Sequence, residues 1–161
     1  MSEQENLQLV QQNYAAFERG DLPGVLSNLT DDIVWESRYT SNVPFGGLWH
    51  GHEGVTQFFA NLGETLDVKD FGIEEFISQG NTVVVLGYEN VQVKSTGSEY
   101  KNEWVHVWKV KEGKVTKVRT YNDTATAAAA FQGTWATKIR VNVATTNNAD
   151  YFSSSRGLKA E

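Results

Sequence analysis

Near Val68 the spacing of apolar residues changes from steps of three and four to steps of two, and this switch restricts the fold more than any other feature of the chain. Four runs rich in β-branched and aromatic residues follow: Lys69 to Ser78, Thr82 to Lys94, Glu99 to Val110 and Lys114 to Asn122. Gly80-Asn81, Thr96-Gly97 and Glu112-Gly113 separate them. Such connections are too short for the crossover a parallel pair needs, so the runs predict an antiparallel meander.

The preceding part of the chain is helical in pattern. Ser2 and Glu5 have capping-box spacing, and Leu7, Val10, Tyr14 and Phe17 then mark one face of a helix that stops at Gly20. Asp21 is placed to cap a short second helix with Pro23 in its first turn and Leu22, Val25, Leu26 and Leu29 as its apolar face. After the polar break Thr30-Asp31-Asp32, the segment Ile33 to Ser37 reads as a strand and Thr40 to Gly47 as a loop. A third helix is expected from about Glu53, burying Val55, Phe58, Phe59 and Leu62. Beyond the meander, Asp123 suits the N-cap of an alanine-rich helix reaching Phe131.

A length of 161 residues is that of one domain with a real core. We take residues 1–132 as that α+β domain and 133–161 as an extension of it. In the extension Ile139, Val141 and Val143 alternate with polar residues, which predicts an added strand, while Ser153 to Arg156 predict a frayed end. A net charge of -6 without a basic cluster argues against nucleic acid and anionic lipid as partners. The absence of cysteine removes disulfides, thiolate nucleophiles and thiolate metal sites. The polar start, Ser2 to Asn6, lacks the pattern of a secretion signal, and no apolar run approaches about 18 residues. The expectation is a cytoplasmic protein.

The order helical hairpin, strand, helix and long meander resembles the nuclear transport factor 2-like superfamily. Tyr14-Ala15-Ala16-Phe17, Gly20-Asp21-Leu22, Leu29 to Glu36, Trp49 to Val55 and Gly113-Lys114-Val115 are similar to its SnoaL-like, ketosteroid-isomerase-like branch. The resemblance spans Asn6 to about Phe131. It implies a cystatin-like α+β roll, in which a conical, curved antiparallel sheet packs on the N-terminal helices around an apolar cavity, and a homodimer formed through the sheet. It does not imply one chemistry, because the superfamily includes isomerases, cyclases, dehydratases, epoxide hydrolases and non-catalytic binders.

Carried over residue by residue, the resemblance puts Ser37 where ketosteroid isomerases have their carboxylate base, and His106 where they have an oxyanion-stabilising acid. Their first-helix tyrosine falls on Asn13, next to Tyr14. The acidic and basic positions of epoxide hydrolases fall on Gln92, Asn90 and Thr120, and the acidic residue of cyclases also falls on Thr120. On this register the carboxylate base is missing.

Residue spacing adds a pocket. Trp104, His106 and Trp108 share one face of their strand, and Val118, Thr120 and Asn122 share one face of the next. With that face inward, His106 is the candidate donor or proton shuttle and Tyr14 its catalytic companion. Trp35, Ser37, Tyr39, Phe58, Trp104, Trp108, Val118, Thr120 and Asn122 are then substrate-binding candidates, with Trp49 in the same aromatic set. The alternative is a filled aromatic core in which His106 satisfies a backbone partner. His50 and His52 read as a turn and a cap rather than metal ligands, Asp31 and Asp32 as solvated, and Asp123 as a cap. Glu36 points away from Trp35 and Ser37.

The expectation is a small, largely apolar, carbonyl-bearing ligand, no metal and no cofactor, and a homodimer formed where the half-wrapped sheet leaves an apolar face. Isomerase, cyclase or dehydratase activity by general acid/base chemistry and non-catalytic carriage or dimerisation both remain open.

Overall fold

The computed structural model describes residues 2–133. The strand and frayed end expected around Ile139, Val141, Val143 and Ser153 to Arg156 lie outside the described residues. The elements are α1 (Glu3–Glu18), α2 (Leu22–Ser27), β1 (Leu29–Ser37), β2 (Gly47–His50), α3 (Gly51–Thr65), β3 (Leu66–Gln79), β4 (Thr82–Val93), β5 (Glu99–Lys111), β6 (Lys114–Tyr121) and α4 (Thr124–Gln132).

Local chemistry sets the helix ends. The Ser2 hydroxyl accepts from Glu5 N–H and the Glu5 carboxylate accepts from Ser2 N–H, completing the capping box. Asp21 caps α2 through Gly24 N–H, and Asp123 caps α4 through Thr126 N–H. The hairpin between β5 and β6 turns on Glu112 and Gly113, both at positive φ, the geometry that matches the twist of a two-residue turn.

The six strands form one curved, unclosed sheet in the order β2-β1-β6-β5-β4-β3. From β3 to β6 it is the antiparallel meander read from the sequence. Two features depart from that reading. The polar stretch Thr30-Asp31-Asp32 lies inside β1 rather than before it, and Gly47–His50 forms a short edge strand against β1, so α3 starts at Gly51. In addition, β1 runs parallel to β6, on the far side of the meander from β3. Register shifts in β3 at Lys69 and Glu74 and in β6 at Thr116 accompany the bend.

The helices lie against the inner side of the bend, α1 on β3 and β4 and α3 on β1 and β2. The inward residues of β4 and β5 are Val83, Val85, Val91 and Val93, then Tyr100, Trp104, Trp108 and Val110, all buried. Glu36 faces the other side, where its carboxylate bridges Arg119 Nε (2.8 Å) and Arg38 (3.0 Å).

Candidate active site

Because β4, β5, β6 and β1 are in register, their inner side chains form successive levels. Trp108 pairs with Val83 and Val118, and Val118 with Trp35, giving an apolar level. Two residues along each strand, His106 pairs with Val85 and Thr120, and Thr120 with Ser37. Two levels further, Glu89 on β4 stands opposite Asn102 on β5. Apolar walls, a row of hydrogen-bonding groups and a carboxylate thus follow one another up the inner face.

Between this face and α1 and α3 lies a partly open cavity of about 70 Å³. That is several times the roughly 10–15 Å³ one water needs. Tyr14, Trp35, Ser37, Tyr39, Phe58, His106, Trp108, Thr120 and Asn122 all line it. Trp104, Val118 and Trp49 do not. The Trp104 indole is stacked between His106 (centroids 3.9 Å apart) and Phe71 (5.3 Å), and Val118 is wholly buried in the core. Trp49 sits at the β2 edge, its indole N–H donating to Phe45 C=O.

Stacking on His106 depends on a glycine opposite. A Cβ at Gly87, the register partner of Trp104, would fall 2.3 Å from the indole ring. Only a residue without a side chain leaves that space.

At the apolar level a directed chain of hydrogen bonds reaches His106. The Trp108 indole, a donor only, gives its N–H to the Tyr14 oxygen at 3.0 Å. The Tyr14 hydroxyl lies 2.6 Å from His106 Nδ1, and because its oxygen already accepts from the indole we assign its proton to that nitrogen. Burial pushes the Tyr14 phenol up, keeping it protonated, and pushes the His106 imidazole down to about 3, keeping it neutral. A neutral ring accepting at Nδ1 carries its proton on Nε2. That N–H has no partner among the described residues, on a ring that lines the cavity.

Tyr14 is therefore bonded to His106, and Asn13 also lines the cavity while donating to Val25 C=O. The register also turns Gln92 and Asn90 away from the cavity, where Gln92 binds Gly97 C=O and Asn90 binds Asp70.

The carboxylate missing from the sequence reading is Glu89. It lines the cavity, and among the described residues it has no ion-pair partner. Its Oε1 accepts from Asn102 Nδ2 at 3.0 Å. The amide is oriented by Asp123 N–H, which donates to Asn102 Oδ1 at 2.9 Å, and its other proton goes to Asn122 Oδ1 at 3.0 Å. Burial raises the Glu89 carboxyl above the usual glutamate value, the Asn102 bond opposing the shift. A period-two signal was present: Glu89 continues the inward series Val83, Val85, Gly87 and precedes Val91. A carboxylate in such a series marks a buried acid.

The histidine pair sits elsewhere. His50 is exposed, His52 contacts Leu29 C=O through Nε2 at 3.1 Å, and no group of three potential metal ligands occurs among the described residues. Asp31 and Asp32 are exposed.

Fold and site together define an α+β cone of the nuclear transport factor 2 type, with a polar-rimmed aromatic pocket between sheet and helices. A family model described as a SnoaL-like domain matches residues 10–118, and the chain belongs to that family. Among solved structures, a nuclear transport factor 2-like protein from Burkholderia xenovorans LB400 is 34% identical, with 81% of this chain and 98% of that one covered and a TM-score of 0.75. TerC, co-crystallised with polyporic acid, is 28% identical over 80% of this chain and 98% of its own, with a TM-score of 0.71. A proposed SnoaL-like polyketide cyclase from Mesorhizobium loti shares the fold at 22% identity, covering 71% of this chain and 97% of that one, with a TM-score of 0.61. A comparison with curated proteins gives no match.

Proposed function

We propose that this protein binds a small, largely apolar carbonyl compound in the cavity and moves a proton on it by general acid/base chemistry, as an isomerase, cyclase or dehydratase does. The observation that carries the reading is Glu89: a half-buried carboxylate with no ion-pair partner among the described residues, on the wall of the same cavity as a neutral histidine with an unspent N–H. Desolvation makes such a carboxylate a stronger base than one in water, and a neutral imidazole N–H is a suitable partner for a carbonyl oxygen.

In the step this arrangement supports, a C–H bond next to the carbonyl breaks. Its proton goes to Glu89, and the electron pair moves onto the carbonyl oxygen, which takes a hydrogen bond from His106 Nε2–H. Where the substrate carries a C=C adjoining the carbon that lost the proton, returning the proton to the far carbon of that double bond shifts it into conjugation and completes an isomerisation. The low basicity of His106 keeps it a donor rather than a cation throughout. TerC lends support as a related chain co-crystallised with polyporic acid.

The test is exchange of the α-protons of 2-tetralone in deuterium oxide, followed by NMR. The intact protein should accelerate it, and Glu89→Gln should lower the acceleration by about a hundredfold or more. A wild-type protein that binds 2-tetralone without accelerating exchange would favour a non-catalytic carrier.

A further inference from the structure

Ser37 and Thr120 are register partners on the parallel strands β1 and β6, and both line the cavity while being nearly inaccessible, at 2% and 5% exposure. Each hydroxyl has a proton with nowhere to go among the described residues. Thr120 Oγ1 accepts from Asn122 Nδ2 at 3.0 Å and donates to nothing, and Ser37 Oγ makes no hydrogen bond. Buried hydroxyl donors are normally spent, so a pair of idle ones facing one cavity is informative.

Their neighbour at the same level is His106, the register partner of Thr120, whose Nε2–H is also idle. The row Ser37, Thr120, His106 thus presents three unspent protons across three adjacent strands. Acceptors on the cavity wall lie at other levels, as Glu89 does.

We infer that Ser37 and Thr120 form a second oxygen-binding subsite beside His106, so that the ligand presents two carbonyl-type oxygens along one edge. This rests on the ligand-binding reading above and adds to it the number and placement of the ligand's oxygens. The spacing is suitable. Side chains on neighbouring strands stand about 5 Å apart, so an oxygen between the two hydroxyls is within reach of both. A second oxygen about one strand spacing further along meets His106 Nε2–H. A flat ring with two para carbonyls has this separation, its oxygens flanking the ring edge that faces the row, and the aromatic residues Trp35, Trp108 and Phe58 supply the apolar walls for its faces.

The experiment is infrared difference spectroscopy of 1,4-naphthoquinone bound to the full chain, with 1-tetralone as the one-carbonyl control and affinity read from tryptophan quenching. In the wild-type protein both quinone carbonyl bands should move to lower frequency. Thr120→Val and Ser37→Ala should each return one band toward its free position and weaken binding about threefold to tenfold. Thr120→Ser, which keeps the hydroxyl, should keep the shift and so separate donation from packing. One shifted band in the wild-type protein, itself lost in His106→Gln, would overturn the second subsite whatever the hydroxyl variants do. Tetralone binding as tightly as the quinone would overturn it while leaving the pocket reading intact. Failure of both compounds to bind would sink the pocket reading with it.

Discussion

His106 shows how one side chain's surroundings select its chemistry. The ring is stacked on Trp104 and bonded to Tyr14, and burial holds its pKa at about 3 against 6.5 for a free histidine. Between those values the unfolded chain binds a proton that the folded one refuses. The stabilising contribution is therefore complete above pH 6.5 and declines as pH falls toward 3. The slope is up to about 1.4 kcal/mol per pH unit, or roughly 2 kcal/mol between pH 6.5 and 5. Glu89 has the opposite sign, its raised pKa making stability fall as pH rises above the usual glutamate value, so the two must be separated by mutation. Denaturant unfolding of wild type and His106→Gln across this range should show the difference narrowing by that amount at the acid end. Parallel curves would mean that the imidazole is not held neutral by the fold.

At the scale of elements, β4 and β5 build the site together. Their pairing places Gly87 against Trp104 and Glu89 against Asn102, so a space and a network arise from one register. A one-residue slip would turn both outward. Gly87→Ala tests the space directly. The added methyl would lie 2.3 Å from the Trp104 ring and 2.5 Å from Gly72 C=O, and neither a packed indole nor backbone yields cheaply. We expect a loss of about 1–3 kcal/mol in stability and a changed near-ultraviolet dichroism as Trp104 leaves His106. A melting temperature equal to wild type would show that the stack is adaptable. The Asp123 N–H to Asn102 bond meanwhile ties the start of α4 to the group that holds Glu89.

The whole molecule has two unlike faces. Inside the bend are the helices and the cavity. On the outer face Val84, Leu86, Val105 and Val107 are only partly covered, and Ile77 and Tyr121 are 47% and 39% exposed at its sides. The register gathers them, since Ile77, Val84 and Val107 form one row and Leu86, Val105 and Tyr121 the next. We propose that two copies associate through this outer face, as an apolar sheet surface favours. Light scattering at micromolar concentration should give twice the chain mass, and Val107→Glu should shift it toward one. A monomer throughout would contradict this. Among the described residues no helix is long and apolar enough to cross a membrane.

What the sequence determined by itself was whatever depends on neighbours in the chain. The capping box at Ser2, the caps at Asp21 and Asp123, the short turns and the period-two runs are local, and each appears in the structure where its residues are. The inner face of β5 and β6 was legible for the same reason, because alternation along a strand is a property of the strand. The family resemblance supplied the direction of that face and the likeness to a cone. Tertiary structure decided the rest. The strand β2 is four residues long, and nothing in Gly47–His50 marks it apart from the β1 edge it pairs with. Asp31 and Asp32 look like a break until β1 is seen to run through them with both exposed. Glu89 is not legible in the sequence because a carboxylate in a strand ordinarily faces water, and it takes the bend of the sheet to turn that position into a cavity wall. The pairing of Ser37 with Thr120 joins residues 83 apart in sequence number through a parallel register, the kind of contact whose partner no local pattern names.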